Sequence, residues 1–333
     1  MHKSNGSNKS MINRQGDWRT RFEFRAMIVA FIFAPFLPFI ISKPLATEII
    51  VYGLFALGFN LLLGHTGIIS FGHAAYLGVG AYSAAMIVFY GEVGVWLALL
   101  AATIGGLLVA IMIGILAIKR KGAYFAMISL AIGQMFFFLT LSPLTRWTGG
   151  EDGLKLPPLS IDFPLYVNLS NQLHLYFFIL TIGCLATLAQ WRILNSPFGH
   201  VLRAIRENED RIRACGYNVS RVKFLSLIFS GLFSGLAGGL LVVYLGAASI
   251  NLLFWMTSGV IVMKTVLGGT HTFFGPVIGA GVFLFLRSTI SEYTDRWELW
   301  LGALFMVLIL LFREGIWGSL LNLIEKRFYH SKL

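Results

Sequence analysis

GVWLALLAATIGGLLVAIMIGILAI, residues 94–118, passes without one ionisable side chain and ends at Lys119, Arg120 and Lys121. At a rise of about 1.5 Å per residue such a run spans roughly 37 Å as a helix, more than the ~30 Å of hydrocarbon in a bilayer. Its apolar residues do not fall into one stripe of period 3.6, so the helix would be greasy on every side. A segment of that kind belongs in lipid.

The same pattern recurs along the chain. Runs at 26–42, 47–63, 74–90, 123–141, 173–191, 224–247, 250–267, 273–290 and 298–312 join 94–118. Composition agrees, since 57% of the residues are hydrophobic and only 12% charged, against about 25% charged in soluble domains. The fold class expected is an all-α membrane protein, a polytopic bundle of about ten transmembrane helices. The run at 250–267 is interrupted by Lys264 and the last run is brief, so either could be re-entrant or tilted.

Orientation follows from charge. If the amino terminus is cytoplasmic and each run crosses once, 20 of the 26 Lys and Arg fall on the cytoplasmic side, as the positive-inside rule requires. Both termini are then cytoplasmic: a tail at 1–25, a transmembrane domain at 26–312 and a tail at 313–333. The outward loop at 142–172 and the cytoplasmic loop at 192–223 are the long connections. All eight Trp, at 18, 96, 147, 191, 255, 297, 300 and 317, fall near run ends, where indole prefers the headgroup layer. The hydrophilic tail is too long for a signal-peptide n-region, so the first apolar run is expected to be retained.

The formal charge of +11 is accounted for by basic cytoplasmic loops meeting anionic lipid, with no nucleic-acid partner implied. Cys184 lies in an apolar run and Cys215 in a cytoplasmic loop, so neither a disulfide nor a CxxC pair is expected. No phosphate-binding loop, no HExxH and no metal-spaced cluster of His and carboxylates is present. No catalytic or metal site and no bound cofactor is expected on this chain. Glu48 and Glu298 stand only at run ends and no carboxylate lies mid-run, which counts against an ion-coupled carrier. The energy source should lie on another chain.

Three segments are too polar or too glycine-rich for lipid-facing helix. GHTGIISFGHAAYLGVGAY (64–82) sets Gly64, His65, Thr66, Gly67, Ser70, Gly72 and His73 between two apolar runs. Non-helical backbone at membrane depth survives only where protein or water satisfies it, so Ser70, Gly72 and His73 are candidates for a permeation pathway. The bland alternative is a turn followed by a packing face of Ala74, Gly78 and Tyr82. LGGTHTFFGPVIGAG (267–281) is a similar turn, with Thr270 as a further pathway candidate, His271 read as a turn residue, and Gly275 and Gly279 at packing spacing. Gly231, Gly235 and Gly239 form a second small-residue ladder.

The third segment, SPFGHVLRAIRENEDRIRACGYNVSRVK (196–223), should form a short helix outside the bilayer. Ser196 is a suitable N-cap, Pro197 suits the first helical position, and Gly216 can close the helix. Glu207 with Arg211, and Glu209 with Arg213, are acid-first pairs four apart. Val201, Ile205 and Ile212 give it a narrow apolar stripe, suited to a membrane surface or to a groove on a soluble partner.

The first and third segments, together with KGAYFAMISLAIGQMFFF (121–138), TGGEDGL (148–154) and LGGTHTFFGPVIGA (267–280), resemble the permease subunits of bacterial branched-chain amino-acid ABC importers, the LivM type in particular. The resemblance spans most of the chain in order. It implies a multi-pass protein of the bacterial inner membrane that takes up Leu, Ile or Val. Its partners would be a second related permease, two cytoplasmic ABC ATPases that hold ATP and Mg, and a periplasmic binding protein. The resemblance makes Arg203, Arg206, Glu207, Glu209, Asp210, Arg213 and Gly216 an ATPase-coupling element. Gly149, Gly150, Glu151, Asp152 and Gly153 become candidates for binding-protein docking, or else a plain turn. Lys264 stands where the family usually has an apolar residue; it could snorkel to the cytoplasmic face or meet a substrate carboxylate. A urea, amide or other amino-acid importer is the near alternative, and an ATPase-independent carrier or channel the distant one.

Overall fold

The computed structural model describes residues 21–91, 94–157, 160–161 and 167–330; most of the amino-terminal tail lies outside them. It is an all-α polytopic membrane protein. The helices are α1 (Arg21–Ile40), α2 (Lys43–Leu63), α3 (His73–Gly91), α4 (Val95–Ala117), α5 (Ala123–Leu141), α6 (Gln172–Leu194), α7 (Pro197–Glu207), α8 (Glu209–Ala214), α9 (Val219–Leu245), α10 (Trp255–Gly268), α11 (Gly275–Tyr293), α12 (Trp297–Leu311) and α13 (Gly315–His330).

Among the described residues eight stretches are long and apolar enough to cross a bilayer: α1 to α6, α9, and residues 297–325 of α12 and α13 together. Each expected run contains a helix, and the two uncertain runs differ from simple spans. α10 has 14 residues, about 21 Å of helix, too short to cross unaided. α11 has the length but carries Arg287 and Glu292. The last run continues past a break at Gly315, whose φ of +77° is one that glycine adopts without strain.

Small residues set the centre. Gly231, Gly235 and Gly239 of α9 pack against Ala102, Gly106 and Ala110 of α4, so closely that a Cβ on Gly235 would lie 2.5 Å from the Ala102 carbonyl oxygen. Lipid tails are as apolar as leucine, so helices gain from such contact through van der Waals packing and not from leaving water. α10 and α11 cross in the same way: a Cβ on Gly279 would overlap the Lys264 carbonyl. Both ladders are therefore packing faces.

Lys264 does not snorkel. It is 2% exposed, and its ammonium lies 3.5 Å from the centroid of the Tyr52 ring and 5.3 Å from that of Phe283. A lysine at the centre of a membrane helix costs about 3 kcal/mol, and desolvated cation–π contacts return ~2 kcal/mol of that. The side chain turns inward onto these rings.

Antiparallel alternation puts the turns at 64–72, 118–122, 195–218 and 269–274 at one end, which carries most of the described Lys and Arg and is called the basic end below. The connections at 142–171 and 246–254 lie at the opposite end.

Candidate functional site

At the basic end the 196–216 segment is two helices where the sequence suggested one. Asn208, at φ −158° and ψ 100°, ends α7 and caps α8, its side-chain oxygen accepting from the Arg211 amide at 2.9 Å. Asparagine competes well for the backbone, which is why a helix breaks here. The break separates Glu207 from Arg211, while Glu209 and Arg213 do pair, at 2.9 Å. Ser196 sits at the N-cap, but its hydroxyl donates back to the Ile193 carbonyl at 2.7 Å. Gly216, at φ +89°, closes α8, and the Tyr217 amide donates to the Ile212 carbonyl.

The inward face of α7 is Leu202 and Ile205, both buried; Leu202 joins Leu57, Leu61, Leu194, Phe273 and Phe274 in one apolar cluster. Two arginines hold the helix down. Arg203 donates to the Leu194 carbonyl at 2.9 Å. Arg206 donates to the Gly64 carbonyl, and its guanidinium lies 3.2 Å from Nε2 of His271. Those two contacts belong to the two glycine-rich turns, which also touch each other: a Cβ on Gly64 would overlap the Thr270 carbonyl, and the Asn60 amide donates to the Thr272 carbonyl at 3.1 Å. The three unusual segments of the sequence meet at one junction, with Arg206 bridging them.

Glu209 anchors α8. Its carboxylate is paired with Lys223 at 2.9 Å, Arg213 at 2.9 Å and Lys121 at 3.2 Å. Burial pushes the carboxyl up, but the Lys223 and Lys121 ammoniums more than offset this and hold it below the ordinary carboxylate range. Burial and the nearby Arg206 lower the His271 imidazole, with Glu314 partly opposing them. Glu207 and Asp210 stay exposed on the outer side. Lys121, Lys223 and His271 were not singled out in sequence as parts of this element: Lys121 and His271 meet partners on other segments, and Lys223 stands 14 residues from Glu209, beyond the turn at Gly216. Asn218 extends α9 back to Val219 by capping the Arg221 amide, which puts Lys223 on that helix.

A cavity of about 680 Å³ opens beside the junction, walled in part by Thr66, Gly67, Ile69 and Phe71 of the first turn and by Ile205 and Arg206. The other candidates of that turn face protein. The His73 ring lies against Phe55, Phe59 and Tyr76, with Nε2 3.1 Å from the Ser230 hydroxyl, which donates to the Gly58 carbonyl. Ser70 is buried, and Gly72 packs on the backbone of Ser129. Thr270 is half-buried against Gly64. The free backbone of the turn finds protein partners: the Phe71 amide donates to Ser129 and the Ala74 amide to Ser258, at 3.2 and 2.8 Å.

At the opposite end Gly149, Gly150 and Gly153 all have positive φ. They fold 149–153 into a tight turn with Glu151 and Asp152 exposed. The turn is latched down: Leu154–Lys155 pairs antiparallel with Ala247–Ala248, and the Leu156 amide donates to the Gly246 carbonyl at 2.9 Å.

Residues 43–312 match the family described as branched-chain amino acid transport system / permease component. The chain is 26% identical over 300 residues to the high-affinity branched-chain amino acid transport system permease protein LivM of Salmonella typhimurium, covering 83% of this chain and 70% of that one. It is 26% identical to the guanosine ABC transporter permease protein NupQ of Bacillus subtilis, over 68% of this chain and 74% of that one. It is 25% identical to LivH of Salmonella typhimurium, the system's permease protein of that name, over 80% and 91%. No solved structure matches.

Proposed function

The chain belongs to the family of permease components of branched-chain amino acid transport systems, and on that premise we propose that it forms half of the membrane pathway of an importer for Leu, Ile or Val. It is a transport subunit of a multi-subunit ABC transporter. The solute follows LivM, whose name states it; NupQ, named for guanosine, marks the range the architecture serves.

The observation that carries the mechanism is the junction at Arg206. The basic end faces the cytoplasm, the helices cross about ten times, and both termini are cytoplasmic. Two cytoplasmic ATPases, holding ATP and Mg, receive α7 and α8, with Glu207, Asp210 and Arg213 on the outer side meeting them. Closure of the ATPases pushes this element, and Arg206 carries the push to both glycine-rich turns, biasing the bundle between outward- and inward-open states. A second related permease completes the pathway, in keeping with the likeness to both LivM and LivH. A periplasmic binding protein delivers the solute at the 149–153 turn, and the membrane is the bacterial inner membrane.

The test is leucine uptake into proteoliposomes with and without the co-purifying ATPases. ATP-dependent uptake only with the ATPases is expected. Uptake driven by an ion gradient alone would refute the reading.

A further inference from the structure

A second cavity, about 550 Å³, lies between α2, α10, α11 and α12, within the size range of small-molecule sites. Lys264 lies in its wall while being 2% exposed. An ammonium has three donors and no acceptor. The contacts seen for this one are the faces of Tyr52 and Phe283, and the Glu48 carboxylate acts on it electrostatically. Ring faces stabilise the charge but offer no lone pair in line with an N–H donor. A cation buried at membrane depth marks a solute pathway by default, because lipid selects strongly against it.

The rest of the wall sorts by chemistry. Tyr52, Phe254 and Phe283 make an apolar surface, Arg287 adds a second cation, stacked on Trp297 at 5.4 Å, and Glu298 contributes a carboxylate. Two cations, an acid and an aromatic lining suit a solute that carries both charges and an aliphatic chain.

We propose that this cavity is a carboxylate-binding subsite of the permeation pathway, in which Lys264 donates to the α-carboxylate of an amino acid whose side chain lies on the Tyr52, Phe254 and Phe283 surface. The proposal rests on the amino-acid reading above for its solute, and on Lys264 for its chemistry.

Thr257 lines the same cavity and reports on occupancy. The full chain, in membranes with its whole transporter, carries Thr257→Cys with Cys184→Ser and Cys215→Ser. Maleimide modification at position 257 is followed by mass spectrometry with leucine, leucinamide or guanosine present, and leucine uptake is measured in parallel. Leucine should slow modification at least threefold, and leucinamide and guanosine should not. Lys264→Met should abolish the protection and Lys264→Arg should keep most of it. Equal protection by leucinamide, protection that survives Lys264→Met, or no protection by any amino acid or simple carboxylate would overturn the proposal. Protection by another carboxylate acting through Lys264, with no leucine uptake, would uphold the subsite and refute the branched-chain assignment. If Lys264→Met fails to reach the membrane, the leucine and leucinamide contrast with Lys264 intact decides.

Discussion

The two ends of the molecule are fastened by different chemistry. At the end with the 149–153 turn the fastening is backbone: three glycines at positive φ and a short antiparallel strand pair. At the basic end it is side chains: Arg206 on Gly64 and His271, and Glu209 on Lys121, Lys223 and Arg213. Backbone pairing is rigid and insensitive to charge. Side-chain bonds can break one at a time and re-form, as a switching element requires. The difference points to a static rim at the end with the 149–153 turn and a movable junction at the basic end, and three substitutions probe it.

Gly153→Val should have the largest effect. Its φ is +69° and a Cβ there would overlap the Ala248 carbonyl, so strain and displacement together should cost at least about 3 kcal/mol. The expected result is a large loss of folded protein in membranes, read by thermal unfolding of the extracted chain. A stable variant would mean the backbone latch is not rigid.

Glu209→Gln should be milder, removing charge from a part-buried cluster at a cost of ~1 to 2 kcal/mol. Uptake should fall several-fold with membrane insertion intact, and the swap Glu209→Lys with Lys223→Glu should recover part of it. Because the carboxyl is held below its ordinary value of 4.5, the anchor is fully present above that pH and is lost as pH falls through its lowered folded value. An uptake profile that declined well above pH 4.5 and was moved by Glu209→Gln would contradict this assignment.

The smallest effect concerns His271. Its pKa is lowered from 6.5, so its contribution is fully present above 6.5 and is lost as pH falls through the lowered folded value, where the ring gains a proton and repels Arg206. Uptake per ATP should stay level from pH 7.5 to 6.5 and decline only at lower pH, and His271→Gln should remove that decline. An unchanged slope in that variant would remove His271 from the junction.

Much of the fold was readable because lipid imposes length and all-round apolarity, which survive in a single sequence; the 94–118 run and α4 agree to within a residue at each end. The small-residue ladders were readable for a similar reason, since close packing of helices needs an i, i+4 spacing. The α7–α8 break was missed because Asn208 sits among good helix-formers and the cost of the kink is recovered by contacts with α9 and the 119–121 turn. The course of Lys264 stayed open between snorkelling and turning inward because its aromatic partners lie 212 and 19 residues away in sequence, on α2 and α11. All three unusual segments were visible singly. Their meeting at Arg206 was not, because Gly64, Arg206 and His271 stand on segments that only tertiary packing brings together.

That meeting is the central claim, and uptake per ATP hydrolysed measures it most directly. With the whole transporter in proteoliposomes, Arg206→Ala should leave ATP hydrolysis within about twofold while leucine uptake falls at least tenfold, and Arg206→Lys should restore only part of it, since an ammonium lacks the planar fork that reaches both turns. Uptake and hydrolysis that stay in their original ratio in Arg206→Ala would contradict the account.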